Sequence, residues 1–242
     1  MTVTVVQLFP DELGVAGDRG NVLALRARLA LAGMESTVIE HRRGDTLPDS
    51  ADCVIVGNGP LSAMRTVKDD LDAAGDRLRG WAGSGVPIFA YGSGAELLGH
   101  RITLLDGSVL PGLGILPFRT TRVPERKVGY VLTDTEWGPL VGFEDNASTW
   151  ILDEGANPLG TVTSGGGNGD GTEGVRAGAS IGTQVGGPVL PLNPLLTGVL
   201  VAAIAAHNGL VVPDSASTPL DEYAEKARAV IAANAAHVFS RI

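Results

Sequence analysis

The sequence predicts an α/β fold: an open, mostly parallel sheet flanked by helices, with a β-rich second half. Short apolar runs alternate with helix-period segments over roughly the first hundred residues, the pattern of βαβ units. From Ile102 to Val185 the chain changes to short β-type runs punctuated by glycine. Two helical patterns then close it, and no internal repeat interrupts a single domain over 1–242.

The first strands fall at Val3–Phe9, Ser36–Glu40, Asp52–Val56 and Val86–Tyr91. A helix is expected from about Asn21 to Ala32, with Asp18 or Asn21 available to cap its unpaired N–H groups. Met64, Val67, Leu71, Ala74, Leu78 and Trp81 recur at spacings of three and four, which gives one apolar helix face to pack on the sheet. The β-type runs are Leu110–Leu116, Val128–Leu132, Leu140–Phe143, Thr149–Leu152 and Val175–Ile181. Ser164–Gly171 has too much backbone freedom for a regular element and reads as a loop. The closing helices are Pro194–His207 and Leu220–Phe239, the second with Tyr223, Ala227, Val230, Ile231, Ala235 and Val238 on one side.

Composition narrows the function. With 242 residues and 44% hydrophobic content, the chain can bury a substantial core. Its longest nearly apolar run, Leu195–Ala206, is shorter than the roughly 20 residues a membrane-spanning helix needs, so no membrane insertion is expected. The N-terminus opens on a strand pattern rather than a basic leader, which points to the cytoplasm. Lone Cys53 excludes an intramolecular disulfide framework and cysteine-built metal clusters. A net charge of −9 argues against a nucleic-acid partner. The local basic group His41-Arg42-Arg43 reads as solvated surface.

Several motifs have bland readings. The glycine-rich loop matches G-x-G-x-x-G but neither follows a clear strand nor opens a clear helix, as a dinucleotide site requires. Asp170 and Glu173 lack the ligand ladder of a calcium loop and read as solvated turn residues. His100 falls at a helix end, where it is expected to meet terminal carbonyls. His207 and His237 lie on the closing helices without metal-ligand spacing. Cys53, in a buried strand, reads as a small hydrophobe. No cofactor or metal is called for.

Ala90-Tyr91-Gly92-Ser93-Gly94-Ala95 is the most informative stretch, because a buried strand gives way almost at once to a helix. Sharp strand-to-helix turns hold nucleophiles in many α/β enzymes. As a G-x-S-x-G elbow for Ser93 the fit is poor, since Tyr91 is bulky where a small residue is required.

Taken in order, Leu8-Phe9-Pro10, Gly17-Asp18-Arg19-Gly20-Asn21, Gly57-Asn58-Gly59-Pro60, Leu97-Leu98-Gly99-His100, Gly142-Phe143-Glu144, Asn168–Arg176 and Gly187-Pro188 resemble class I glutamine amidotransferases of the cobyric-acid-synthase type. Among these, the chain is similar to the amidotransferase subunits of lipid II isoglutaminyl synthases. The resemblance implies a flavodoxin-like glutamine-amidotransferase architecture and a role in amidating a peptidoglycan precursor for the cell wall. In that family an elbow cysteine attacks the side-chain amide of glutamine, a histidine acts as its base, and the released ammonia passes to a synthetase. The elbow pattern Ala-x-Cys-Gly-Gly-x-Gln-Leu-Leu-Gly registers on Ala90–Gly99 and puts Gly92 at the cysteine position. The pattern Ile-Gly-Thr-x-x-His-Gly-Pro puts Gly186 at the histidine position. Glu96 stands in place of the elbow glutamine, and Asn58 in a loop that is usually three glycines.

The resemblance therefore implies a catalytically degenerate subunit with a Mur-ligase-like synthetase as partner. Losing such a nucleophile can cost on the order of a million-fold in rate. Gly57, Asn58, Gly59, Glu96 and Arg126 are the expected substrate-binding residues. Two alternatives stay open: an active subunit with Ser93 as displaced nucleophile, and a sensor that binds glutamine or another small amide in the old pocket.

Overall fold

The computed structural model describes residues 2–212, 218–238 and 240–241. The first sheet uses β1 (Thr2–Leu8), β2 (Glu35–His41), β3 (Cys53–Val56) and β4 (Ile88–Tyr91). It is completed by the late hairpin β11 (Val175–Ala177) and β12 (Ser180–Thr183), in the order β11-β12-β4-β3-β1-β2. All neighbours pair in parallel except β11 with β12. The expected parallel core is therefore present, and β3 and β4 are buried on both faces, which explains their unbroken apolar runs.

Alternation along the strands sorts the core into two layers. Val6, Leu8, Val54, Val56 and Ala90 face α2 (Leu61–Gly83), while Val5, Cys53, Ile55 and Phe89 face α1 (Asp18–Leu31) and the late helix α5 (Pro194–His207). Every residue of the apolar stripe predicted on α2, from Met64 to Trp81, is buried.

The β-rich half forms a second sheet dominated by one long hairpin, β7 (Phe118–Thr135) with β8 (Gly138–Leu152). The predicted runs at 128–132, 140–143 and 149–152 are pieces of these two strands. Phe118 and Trp150 stack at 4.2 Å where the hairpin meets the first sheet's core. The ladder breaks between Arg122 and Lys127, where Val123–Arg126 bulge opposite Ala147. Short strands β5 (Arg101–Thr103), β6 (Val109–Pro111), β9 (Gly160–Ser164) and β10 (Thr172–Glu173) complete this sheet, together with β13 (Ser240–Arg241). Of the loop expected over Ser164–Gly171, residues 165–171 form the connection between β9 and β10, while Ser164 closes β9.

Some expectations need correction. The strand predicted over Leu110–Leu116 stops at Pro111, because the following backbone satisfies the end of α3 (Ser93–Leu98) instead: Leu113 N–H donates to the Leu97 carbonyl, and Ile115 and Leu116 to Leu98. Val175–Ile181 is a hairpin rather than one strand. Helix α1 begins at Asp18 without a side-chain cap. The Asp18 carboxylate accepts from Ala16 and Asn58 N–H groups, and Asn21 accepts from Leu190 N–H at 2.9 Å. On α6 (Pro219–Val238), Tyr223 and Val230 are exposed, and Ala224, Arg228 and Ala235 turn inward. Phe239 and the side chain of His237 lie outside the described residues. Among the described residues, no helix is long and apolar enough to cross a membrane.

Candidate functional site

The carboxyl ends of β1, β3, β4 and β12 open on one cleft, where open α/β sheets place their sites. At its floor β4 turns sharply into α3. Gly92 makes the turn at φ 54° and ψ −129°, a conformation closed to most side chains. Its N–H donates to the Thr183 carbonyl at 2.9 Å, and its carbonyl accepts from Glu96 N–H at 3.1 Å. The loop after β3 lies directly against this turn. A Cβ on Gly94 would stand 2.3 Å from the Gly57 carbonyl oxygen, so only glycine permits the approach.

The predicted loop residues Gly57, Asn58 and Gly59 are thus brought to Gly92. Ser93 N–H donates to Asn58 Oδ1 at 2.9 Å, and Gly59 N–H donates to Ser93 Oγ at 2.8 Å. A Cβ on residue 92 would lie 2.4 Å from Asn58 Oδ1. Gly186 closes the other side of the cleft, bridged to Phe143, and a Cβ there would come within 2.7 Å of Tyr91 Cε2.

Tyr91 is buried, and its hydroxyl donates to the Ala16 carbonyl at 3.3 Å. Burial raises its phenol pKa, and nearby Asp18 adds to the rise. Burial also pushes Asp18 up to about 6, against the N–H groups that favour its charged form.

Asn58, Gly59, Tyr91, Gly92, Ser93 and Gly186 line a cleft of about 670 Å³, and Gly57 lies behind this lining. Residues 7–193 match the CobB/CobQ-like glutamine amidotransferase domain, more than half of the chain. The chain belongs to this family. It is 29% identical over 212 residues to the lipid II isoglutaminyl synthase (glutamine-hydrolyzing) subunit GatD of Staphylococcus aureus strain N315, covering 86% of each chain. A crystal structure of a glutamine amidotransferase superposes with a TM-score of 0.58 at 20% identity, over 82% of this chain and 98% of that one. A glutamine amidotransferase from Thermotoga maritima gives 0.50 at 12% identity, over 76% and 75%. The two structural likenesses speak for the fold alone.

In this amidotransferase domain the described residues lining the cleft include neither cysteine nor histidine. Cys53 lies in β3, fully buried, and burial pushes its thiol up to about 12. His41 is not surface as expected: it is buried with its ring 5.4 Å from Phe9, while Arg42 and Arg43 are exposed and paired with carboxylates. His100 turns from the helix end to Asp153, with Nε2 2.7 Å from Oδ2. His207 is half-buried at the end of α5. Among the described residues no His, Cys, Asp and Glu cluster is placed to hold a metal ion.

Glu96 does reach the cleft, but from a buried position in which it pairs with Arg122 and accepts from Trp150 Nε1 at 3.4 Å. Burial raises its pKa, and Arg122 opposes the rise. Arg126 stands on the bulge at the rim, paired with Asp145 at 2.5 Å. Sequence reading missed Arg122. The signal available was a carboxylate at a buried position of α3, which requires a cation or a donor set to neutralise it.

It also missed a polar layer behind the cleft. Glu173, expected in solvent, is fully buried; its Oε1 accepts from the Thr183 hydroxyl at 2.8 Å and Gln184 N–H at 2.7 Å, while Oε2 has no hydrogen-bond partner. Burial pushes it up to about 7, with the Glu144 charge contributing. Buried Glu144 accepts from Gly166 and Gly167 N–H, which fixes the glycine-rich loop against β8.

Proposed function

We propose that this chain is a non-hydrolysing glutamine-amidotransferase-like subunit, one domain over 1–242, that serves a Mur-ligase-like synthetase in amidating a peptidoglycan precursor. The observation carrying this reading is glycine at both facing positions of the cleft: Gly92 at the sharp turn and Gly186 across from it. We assign Gly92 to the nucleophile position and Gly186 to the base position, because the first sits where an elbow side chain would project and the second faces the same cleft. Hydrolysis through a covalent intermediate needs a nucleophile and a base within hydrogen-bonding reach. Ser93, the candidate displaced nucleophile, has its Oγ engaged by Gly59 N–H, and no imidazole lines the cleft among the described residues. Service as one subunit of a synthase, and the lipid II setting, are supported by likeness to the staphylococcal subunit.

A sensor role is the second reading, favoured by a cleft whose volume falls in the range of small-molecule pockets, about 300–1,000 Å³. In it Gly57, Asn58, Gly59, Glu96 and Arg126 would contact glutamine or another small amide. The test is ammonia release from glutamine by the purified chain and by its complex with the synthetase. No release is expected from either, together with a stable complex. Turnover of roughly 1 per second or more, abolished by Ser93→Ala, would overturn the reading.

A further inference from the structure

We propose that Asn58 is a built-in occupant of the site, its carboxamide seated where the carboxamide of a small-molecule ligand would have to sit, so that this one side chain decides what reaches the turn. The inference rests on the reading of Gly92 as the former centre of the site. Inward-facing backbone N–H groups at a strand-to-helix turn are the donors that receive a carbonyl or oxyanion in acyl-transfer sites. Both such donors are already satisfied from within: Ser93 N–H by Asn58 Oδ1, and Gly59 N–H by Ser93 Oγ. The backbone of Asn58 is pinned on both sides, since its N–H donates to Asp18 Oδ1 at 3.3 Å and its carbonyl accepts from Val15 N–H at 3.2 Å. Only the side chain is left to turn away. With Oδ1 2.4 Å from the place of a Cβ on residue 92, Asn58 in this rotamer and any side chain at 92 exclude each other. Glycine at 92 is thus the counterpart of asparagine at 58.

Amide hydrogen exchange of the full chain, read residue by residue for the unmodified protein, Asn58→Gly and Asn58→Ala, tests this. Ser93 N–H is expected to exchange about twofold to tenfold faster in both variants, the worth of one hydrogen bond. Gly92 N–H, bonded to the Thr183 carbonyl, should keep its rate. An unchanged Ser93 rate would overturn the proposal, and so would equal acceleration of both amides, the mark of general loosening. A second measurement uses thiol alkylation of Gly92→Cys with and without Asn58→Gly, against the silent background of buried Cys53. Labelling about tenfold faster in the double variant is expected, and equal rates would count against the proposal. If Gly92→Cys does not fold, the exchange rates decide. Glutamine hydrolysis by the unmodified protein would refute the non-hydrolysing role and leave the Ser93 exchange result to judge Asn58 separately.

Discussion

Replacing Glu173 with glutamine should flatten the pH dependence of stability in a direction the structure fixes. The carboxyl of Glu173 is fully buried with Oε2 unpartnered, and its pKa rises from 4.5 to about 7. A raised folded-state pKa means that the folded protein holds the proton more tightly than the unfolded chain. The associated stability is present in full below about pH 4.5 and is lost as pH rises through about 7. At 1.36 kcal/mol per pKa unit the whole effect is about 3 kcal/mol, of which about 2 kcal/mol falls between about pH 5.5 and 8.5. Glu173→Gln keeps an oxygen to accept from Thr183 and Gln184 but cannot ionise. Relative to the unmodified protein it should gain about 2 kcal/mol over that interval, or roughly 4–8 °C in Tm for a chain of this size. Asp106 and Asp170, whose pKa values are lowered by hydrogen bonds from Ser108 and Thr172, slope the other way, but they are common to both proteins and cancel. Urea titrations at several pH values provide the measurement. A stability difference that stays constant with pH would refute the assignment of a near-neutral titration to Glu173.

Further outcomes follow from the same geometry. The double variant Gly92→Cys with Gly186→His should not hydrolyse glutamine efficiently, because each new side chain starts in occupied space, at Asn58 Oδ1 and at the Tyr91 ring; ammonia release at family-like turnover would show the pocket to be intact. Glu96→Gln should destabilise the fold by about 2–3 kcal/mol, since it strands the Arg122 guanidinium at a mostly buried position, and adding Arg122→Gln should recover part of the loss in chemical denaturation. Cys53 should resist a thiol reagent in the native protein and react only on unfolding, because its thiol is buried and held up to about 12.

Legibility in the sequence tracked the physical origin of each element. The α2 face could be read because one packing surface imposed one period, and the loop at 165–171 because its composition favours no single backbone state. The long β7–β8 hairpin appeared as fragments. Arg122, Pro124, Arg126 and Asn146 break its apolar pattern where the strands bulge beside the cleft, so the interruption came from the site rather than from the end of a strand. Helix α1 seemed to start late because Gly20 lies in its first turn. At the site, local sequence marked the turn at Gly92 and the loop at Gly57–Gly59. It could not reveal that Asn58 and Tyr91 take the space facing Gly92 and Gly186, since those contacts join residues 34 to 95 positions apart.

Persistence of a nucleophile-type turn is not in itself a sign of persistent chemistry. A non-glycine residue held in a sparsely populated backbone conformation costs about 1–3 kcal/mol, a strain retained where function requires it. Glycine removes that cost, so at Gly92 the turn can survive without selection for reactivity. Its shape is fixed instead by packing and by backbone bonds: Gly92 N–H to the Thr183 carbonyl, Glu96 N–H to the Gly92 carbonyl, and the close pass of Gly94 over Gly57. The first and third tie β4 to β12 and to the loop after β3, the second opens α3, and none needs a side chain at 92. This junction holds Asn58 and Tyr91 where a Cβ at 92 and at 186 would fall. On the proposed assignment of Gly92 and Gly186, introducing reactive side chains there requires clearing that space, and Asn58→Gly is the first change to make.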